Sequence, residues 1–240
     1  MIPQDWKLVW QDEFDDPAVD PSKWRVEVGY TGGSNAEWET YTDRSENVYV
    51  ENSCLVIAAR EEQYNGLNYT SARLHTQGLH AWTYGRFEAR IQIPFGQGLW
   101  PAFWMLGEDI PLVNWPECGE IDIMEAIGKR PDMVRGTLHG PGYSRDDSVG
   151  MDFVVPGQRF ADDFHRYAIE WEPDQIRFYV DDCHYNTLTR ADVPGRWAFD
   201  HPFFMLINVA VGGFWPGYPD ETTRFPQFMR VDYVRVYQRS

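Results

Sequence analysis

Polar and apolar residues alternate along much of this chain with the two-residue period of strands. In Arg86–Ile93, the side chains of Arg86, Glu88, Arg90 and Gln92 share one face, and Phe87, Ala89, Ile91 and Ile93 share the other. Tyr167–Glu172, Gln175–Asp181 and Met229–Gln238 continue the series, with Pro173-Asp174 and Asp181-Asp182 as turn signals. Glu46–Glu51 and Leu55–Glu61 flank an Asn52-Ser53 turn. No stretch of useful length repeats apolar residues at the helical period, so helix is confined to short turns predicted at Pro21-Ser22-Lys23-Trp24 and Thr189–Asp192. Many short strands spaced by turns predict an all-β jelly-roll sandwich of two antiparallel sheets.

One strand breaks the alternation. The run Gly119–Gly128 places Glu120, Asp122 and Glu125 among isoleucines and a methionine. Glu120 and Asp122 share a face, but simple alternation would turn Glu125 onto the apolar face, where an unpaired carboxylate costs several kcal/mol. A β-bulge at Ile123-Met124 removes the conflict by returning Glu125 to the face of the other two. With about 3.3 Å per residue, the Glu120 and Glu125 Cα atoms then lie roughly 13 Å apart, and arms leaning together leave about 5–7 Å between carboxyls. That separation is closer to the ~5.5 Å of retaining glycosidases than to the 6.5–9.5 Å of inverting ones. Three carboxyls this close cannot all ionise cheaply, so at least one keeps its proton near neutral pH, as a general acid requires. A solvated acidic edge or a cation site is the alternative reading of the same residues.

Composition narrows the class. The chain has 240 residues, of which 43% are hydrophobic and 24% charged, enough for one large core, and no repeat or flexible linker divides it; a single domain over residues 1–240 is expected. No apolar run approaches the roughly 18 residues of a membrane span. A formal net charge of −16 without a basic cluster argues against nucleic acid or an anionic membrane as partner and suits a neutral polymer. A monomer is expected. Cys54, Cys118 and Cys183 are widely spaced and odd in number, so they read as buried thiols, neither a disulfide framework nor a zinc site. Met1-Ile2-Pro3-Gln4-Asp5-Trp6 lacks a charged n-region and an apolar h-region, so no signal peptide is predicted within it.

Aromatic residues make up 16% of the chain, with 11 Trp. Indole faces suit the C–H faces of sugar rings, and the indole N–H can bond outward. Trp6, Trp10, Trp24, Trp171 and Trp197 read as core. Trp100, Trp104, Trp115 and Trp215 lie in Gly/Pro-rich segments or beside the acidic strand, where the walls of a cleft are expected, Trp104 being equally compatible with core. Arg73 ends an apolar-polar run, where it could grip a sugar hydroxyl, steady a nucleophilic carboxylate or make a structural ion pair. The remaining histidines show no ligand spacing, so no catalytic cofactor is expected.

The stretch Glu120-Ile121-Asp122-Ile123-Met124-Glu125 resembles the signature of glycoside hydrolase family 16, in the form with the extra residue that laminarinases carry. Asn35-Ala36-Glu37-Trp38, Tyr69–Arg73, Tyr84–Arg90, Gly98–Leu106, Thr137–Gly140 and Asn208–Gly217 look like bacterial laminarinase segments in the same order, so the resemblance covers nearly the whole chain. It implies a substrate cleft on the concave sheet and retaining endo-hydrolysis of β-1,3-glucan, with Glu120 as nucleophile, Glu125 as general acid and base, and Asp122 tuning both. It also implies that Asn35, Arg73, Trp100, Trp115, His139 and Trp215 contact sugar or the catalytic carboxyls. Glu13 and Asp232 match positions where relatives hold a structural calcium, and a polymer substrate implies secretion, with any leader outside this chain. A mixed-linkage β-1,3-1,4-glucanase, an agarase or carrageenase, and a transglycosylase are the neighbouring readings. A glucan-binding lectin explains the tryptophans but not the acids.

Overall fold

The computed structural model describes residues 5–30 and 35–239; Met1–Gln4 and the Gly32-Gly33-Ser34 part of the loop before Asn35 lie outside the described residues. The strands run β1 (Trp6–Asp12), β2 (Arg25–Val26), β3 (Gly29–Tyr30), β4 (Glu39–Tyr41), β5 (Val48–Glu51), β6 (Cys54–Tyr64), β7 (Leu67–Ser71), β8 (Arg73–His75) and β9 (Gly85–Gln92). After β10 (Leu99–Gly107) comes a one-turn helix α1 (Ile110–Val113), then β11 (Glu120–Glu125), β12 (Met133–His139) and β13 (Val149–Val154). The chain ends through β14 (His165–Glu172), β15 (Gln175–Val180), β16 (Cys183–Thr189), β17 (Phe203–Val211) and β18 (Gln227–Arg239).

Two sheets form the expected sandwich. Seven strands build one in the order β13-β12-β11-β10-β17-β8-β2, and eleven build the other, with β14, β9, β18 and β6 at its centre. The pairing is antiparallel except that β4 runs parallel to β7, a departure from the all-antiparallel expectation. The core lies between the sheets. Phe87, Ala89 and Ile91 of β9 enter it from the larger sheet, and Phe103, Met105, Ile121, Met124 and Ile207 from the smaller. Each of the Phe, Ile and Met side chains contributes about 1.5–3 kcal/mol on burial, which holds the alternating strands in register.

The short helical turns are single turns: the Lys23 and Trp24 N–H groups both reach the Asp20 carbonyl at 3.0 Å, and Asp192 N–H bonds back to Thr189 at 3.0 Å. Trp6, Trp24, Trp171 and Trp197 are buried as expected. Trp10 is only half-buried, edge-on against Trp24 and Trp82. Of the three cysteines expected inside, only Cys118 is buried; Cys54 is half-buried and Cys183 exposed. Cys183 opens β16, which pairs with β15 alone, so its side chain has a sheet neighbour on one side only.

Candidate active site

The bulge lies where charge placement demands it. On β10, Leu106 faces Glu120, Trp104 faces Asp122 and Ala102 faces Glu125, so three acids spaced unevenly in sequence meet partners spaced by two. On the other side, Asp122 faces Thr137 and Glu125 faces Arg135, again with one residue extra on β11. The surplus residue is Ile123, and both Ile123 and Met124 are buried in the core. All three carboxyls consequently line the outer face of the smaller sheet. Four residues of regular β10 separate the partners of Glu120 and Glu125, or about 13 Å, as the sequence spacing implies. Gly119, with φ of 74°, turns the chain into β11, and a Cβ there would meet the Phe203 ring at 2.9 Å.

Glu120 and Glu125 are each held by an indole N–H. Trp115 Nε1 donates to Glu120 Oε2 at 2.8 Å, and Trp100 Nε1 donates to Glu125 Oε1 at 3.0 Å. Trp215 packs edge-on against Trp100, with ring centroids 5.5 Å apart. His139, opposite Glu120 on β12, points Nε2 at Asp122 Oδ2 (3.2 Å) and at Glu120 Oε1 (3.8 Å). Its Nδ1 accepts the Arg145 backbone N–H at 3.1 Å, which leaves the ring proton on Nε2, facing the acids.

Burial raises the pKa of all three acids. Glu120 is pushed well above the carboxylate range by burial and then by the Asp122 charge, with His139 and the Trp115 N–H pulling it back. Asp122 is likewise pushed well up, first by burial and then by the Glu125 charge. Glu125 is raised by burial and partly restored by His139, Trp100, Arg135 and Thr137. Among the described residues, no Lys or Arg forms an ion pair with any of the three. The arrangement can therefore keep one carboxyl protonated near neutrality beside another that is ionised, the requirement for paired acid and nucleophile.

The other expected contacts divide. Arg73 lies on the same face, across β17 and β10 from Glu125, but its guanidinium pairs with Glu27 at 3.5 Å and lies over the Tyr41 and Trp104 rings. Among the described residues it makes no ion pair with Glu120. Trp104 belongs to the site face, its Nε1 donating to Asn208 Oδ1 at 2.7 Å. The Asn35 side-chain amide donates to Glu37 at 3.0 Å, and the Asn35 backbone carbonyl accepts the Phe214 N–H at 3.0 Å, tying its loop to the one that carries Trp215. Glu13 gives both oxygens to Arg235 at 2.7 and 2.8 Å, and Asp232 pairs with Arg90 at 2.8 Å. Calcium takes six to eight oxygens, so these two carboxylates, each committed to a guanidinium, do not fit a calcium cage. Cys118, with its thiol pushed up to about 12 by burial, has no nucleophilic character.

Sequence reasoning missed three contributors. Arg135 and Thr137 share the face of His139, and Thr137 Oγ1 lies 3.5 Å from Glu125 Oε2; the two-residue period of Arg135-x-Thr137-x-His139 was the available signal. Glu39 was the third: buried, its pKa pushed up to about 7 by burial, it accepts the Val211 N–H at 2.7 Å, where the Trp215 loop begins. Nothing local in the sequence marks that bond.

Residues 34–235 match the glycosyl hydrolases family 16. Over 246 aligned residues the chain is 47% identical to a β-glucanase of Rhodothermus marinus, covering 97% of this chain and 85% of that one. It is 38% identical to the glucan endo-1,3-β-glucosidase A1 of Niallia circulans, of which it spans only 38%. Among solved structures, the laminarinase catalytic domain of Thermotoga petrophila superposes with a TM-score of 0.94 at 50% identity, over 98% of this chain and 99% of that one. The matched span runs from the loop before β4 into β18 and includes the whole bulged acid strand with its neighbours, and the chain thus belongs to the glycosyl hydrolases of family 16.

Proposed function

We propose that this chain is a retaining endo-β-1,3-glucanase that cuts laminarin-type glucans as a monomeric catalytic domain. The observation that carries the reading is the β11 bulge, which aligns Glu120, Asp122 and Glu125 on one open face where, among the described residues, no Lys or Arg forms an ion pair with them. The relatives named as glucanases support the linkage.

Glu120, bonded to Trp115, attacks the anomeric carbon while Glu125 passes its proton to the departing oxygen. Glu125, now ionised, then takes a proton from water, which displaces Glu120 from the sugar and restores the original configuration. Asp122 sits between them, its own carboxyl held up by burial and the Glu125 charge, and its charge adds to the burial that raises the pKa of Glu120. The setting we infer is extracellular, in keeping with a polymer substrate; among the described residues no helix is long and apolar enough to cross a membrane.

The test is product release from laminarin, curdlan, lichenan and barley β-glucan, with the anomer of the new reducing end followed by NMR. Short products from laminarin with the β-anomer first are expected. A first-formed α-anomer overturns the Glu120 assignment, preference for lichenan moves the linkage to mixed β-1,3-1,4, and binding without cleavage leaves a lectin.

A further inference from the structure

Trp115, whose N–H holds Glu120, does not stand on a strand. It sits in the crossing between β10 and β11, residues 108–119, which also carries α1. None of the four α1 residues is buried, and Leu112 is 83% exposed, so the crossing has little core of its own to fix where the indole N–H points. Ile110 and Trp115 lean on a small apolar cluster of Leu106, Cys118, Phe204 and Leu206. Apolar contact excludes water but is non-directional, whereas the bond to Glu120 needs its N–H within a narrow distance and angle.

Direction comes from the segment between β16 and β17. His201 Nε2 sits 3.0 Å from Asp109 Oδ1 at the start of the crossing, where the Pro202 carbonyl also accepts the Glu108 N–H at 2.9 Å. Near its end, Arg196 Nη2 donates to the Glu117 carbonyl at 2.8 Å. Two glycines show how closely the segments pack. A Cβ on Gly107 would meet His201 Nε2 at 2.6 Å and Asp109 Oδ1 at 2.8 Å, and one on Gly119 would meet the Ala198 Cβ at 3.0 Å. The gripping segment is itself fixed in the core: Trp197, Ala198 and Phe199 are buried, Trp171 Nε1 donates to the Phe199 carbonyl at 3.1 Å, and Tyr143 Oη donates to the Arg196 carbonyl at 3.0 Å. We infer that His201 and Arg196 are positioning residues, which brace the crossing at its two ends so that the Trp115 N–H meets Glu120. Arg145 and His139, from the β12 side, meet the Trp115 ring itself, at 5.2 and 5.9 Å, and so flank the indole without setting the path of the crossing.

The kinetic consequence rests on the glucanase reading, so one arm of the test needs no turnover. In protein carrying isotopically labelled tryptophan, the NMR signal of the Trp115 indole N–H is assigned by its loss in Trp115→Phe. Its hydrogen exchange with water should quicken roughly tenfold in Arg196→Met and in His201→Ala, and Arg196→Lys, which keeps a donor for the Glu117 carbonyl, should recover most of the protection. Unchanged exchange in folded Arg196→Met overturns the inference; Arg196 is exposed, so its variant decides where His201→Ala fails to fold. The second arm is a cycle on laminarin. Each variant should lower kcat/KM about 2–10-fold, with the acid limb moved to higher pH as in Trp115→Phe, while the same changes made within Trp115→Phe should cost less than about twofold. A loss that persists undiminished in the Trp115→Phe background means that the two residues do not act through Trp115, and overturns the inference. A wild type inactive on every glucan refutes the glucanase reading instead, and the exchange rates then decide the brace.

Discussion

Two sets of buried carboxylates, one on each sheet, show what the active site withholds. On the outer face of the larger sheet, Glu88 and Glu170 are only 2% and 7% exposed, about as buried as Asp122 at 3%. Arg86 bridges Glu88 and Glu170, Arg177 reaches Glu170 at 2.9 Å, and the Tyr179 and Tyr233 hydroxyls donate to Glu170 and Glu88 at 3.0 and 2.8 Å. Glu120, Asp122 and Glu125 receive indole N–H groups and a histidine but no guanidinium ion pair. Both faces sit on central strands of alternating sequence. The difference is whether a guanidinium pairs directly with the carboxyl, and where, among the described residues, none does, the carboxyls keep the raised pKa that acid catalysis needs.

The largest expected effects break the catalytic side of this comparison. Glu125→Gln should lower hydrolysis of laminarin by about 10²–10⁴-fold, and Glu120→Gln at least as much, measured as reducing-sugar release with folding checked by circular dichroism. On the compensated face the loss should fall on stability. Glu170→Gln leaves Arg86 and Arg177 short of a charge partner and should cost about 3–5 kcal/mol in urea unfolding, while activity per folded molecule holds.

Smaller changes sharpen the contrast. Trp115→Phe removes the N–H that stabilises ionised Glu120, a bond of about 1.5–3 kcal/mol. The expected outcome is a roughly 10–100-fold fall in kcat/KM, with the acid limb of its pH profile moved to higher pH, because losing the donor raises the Glu120 pKa further. Last, Glu120→Gln should raise the melting temperature at pH 7 even as it abolishes activity. Glu120 has a folded pKa above its unfolded one, so its contribution is neutral below the unfolded value and turns against folding as pH rises through the folded one. Glutamine removes that burden, for a gain of roughly 0.5–2 kcal/mol that should vanish near pH 4. A variant equally unstable at both pH values would show that Glu120 is compensated after all.

Much of the fold was legible because strand geometry is local. Arg86–Ile93 and Met229–Gln238 announce β9 and β18 by alternation alone, and the cost of a charge in the core locates the bulge at Ile123-Met124 without reference to any other strand. β17 was harder, since all nine of its residues, Phe203–Val211, are buried and a continuous apolar run carries no period. The helix α1, four residues including Pro111, is too short for helical periodicity. Arg73 shows the same limit in the site: its sequence position allowed a sugar contact, the nucleophile or an ion pair, and the partners it meets, Glu27 from the segment after β2 and Tyr41 from β4, are set by tertiary packing.

By itself, the sequence determined which residues share a strand face, that three acids align on one strand, and that apolar alternation closes a two-sheet sandwich, because each follows from the period of two and from the free energy of burying charge. Tertiary structure alone decided which acids meet a counter-charge. Glu170 gains Arg86 from 84 residues away in a direct ion pair, whereas β11 is flanked by strands that bring tryptophan, threonine and histidine to its acids and an arginine, Arg135, that pairs with Asp152 instead. Strand neighbours are set by the packing of the whole core, and that choice separates a structural carboxylate from a catalytic one.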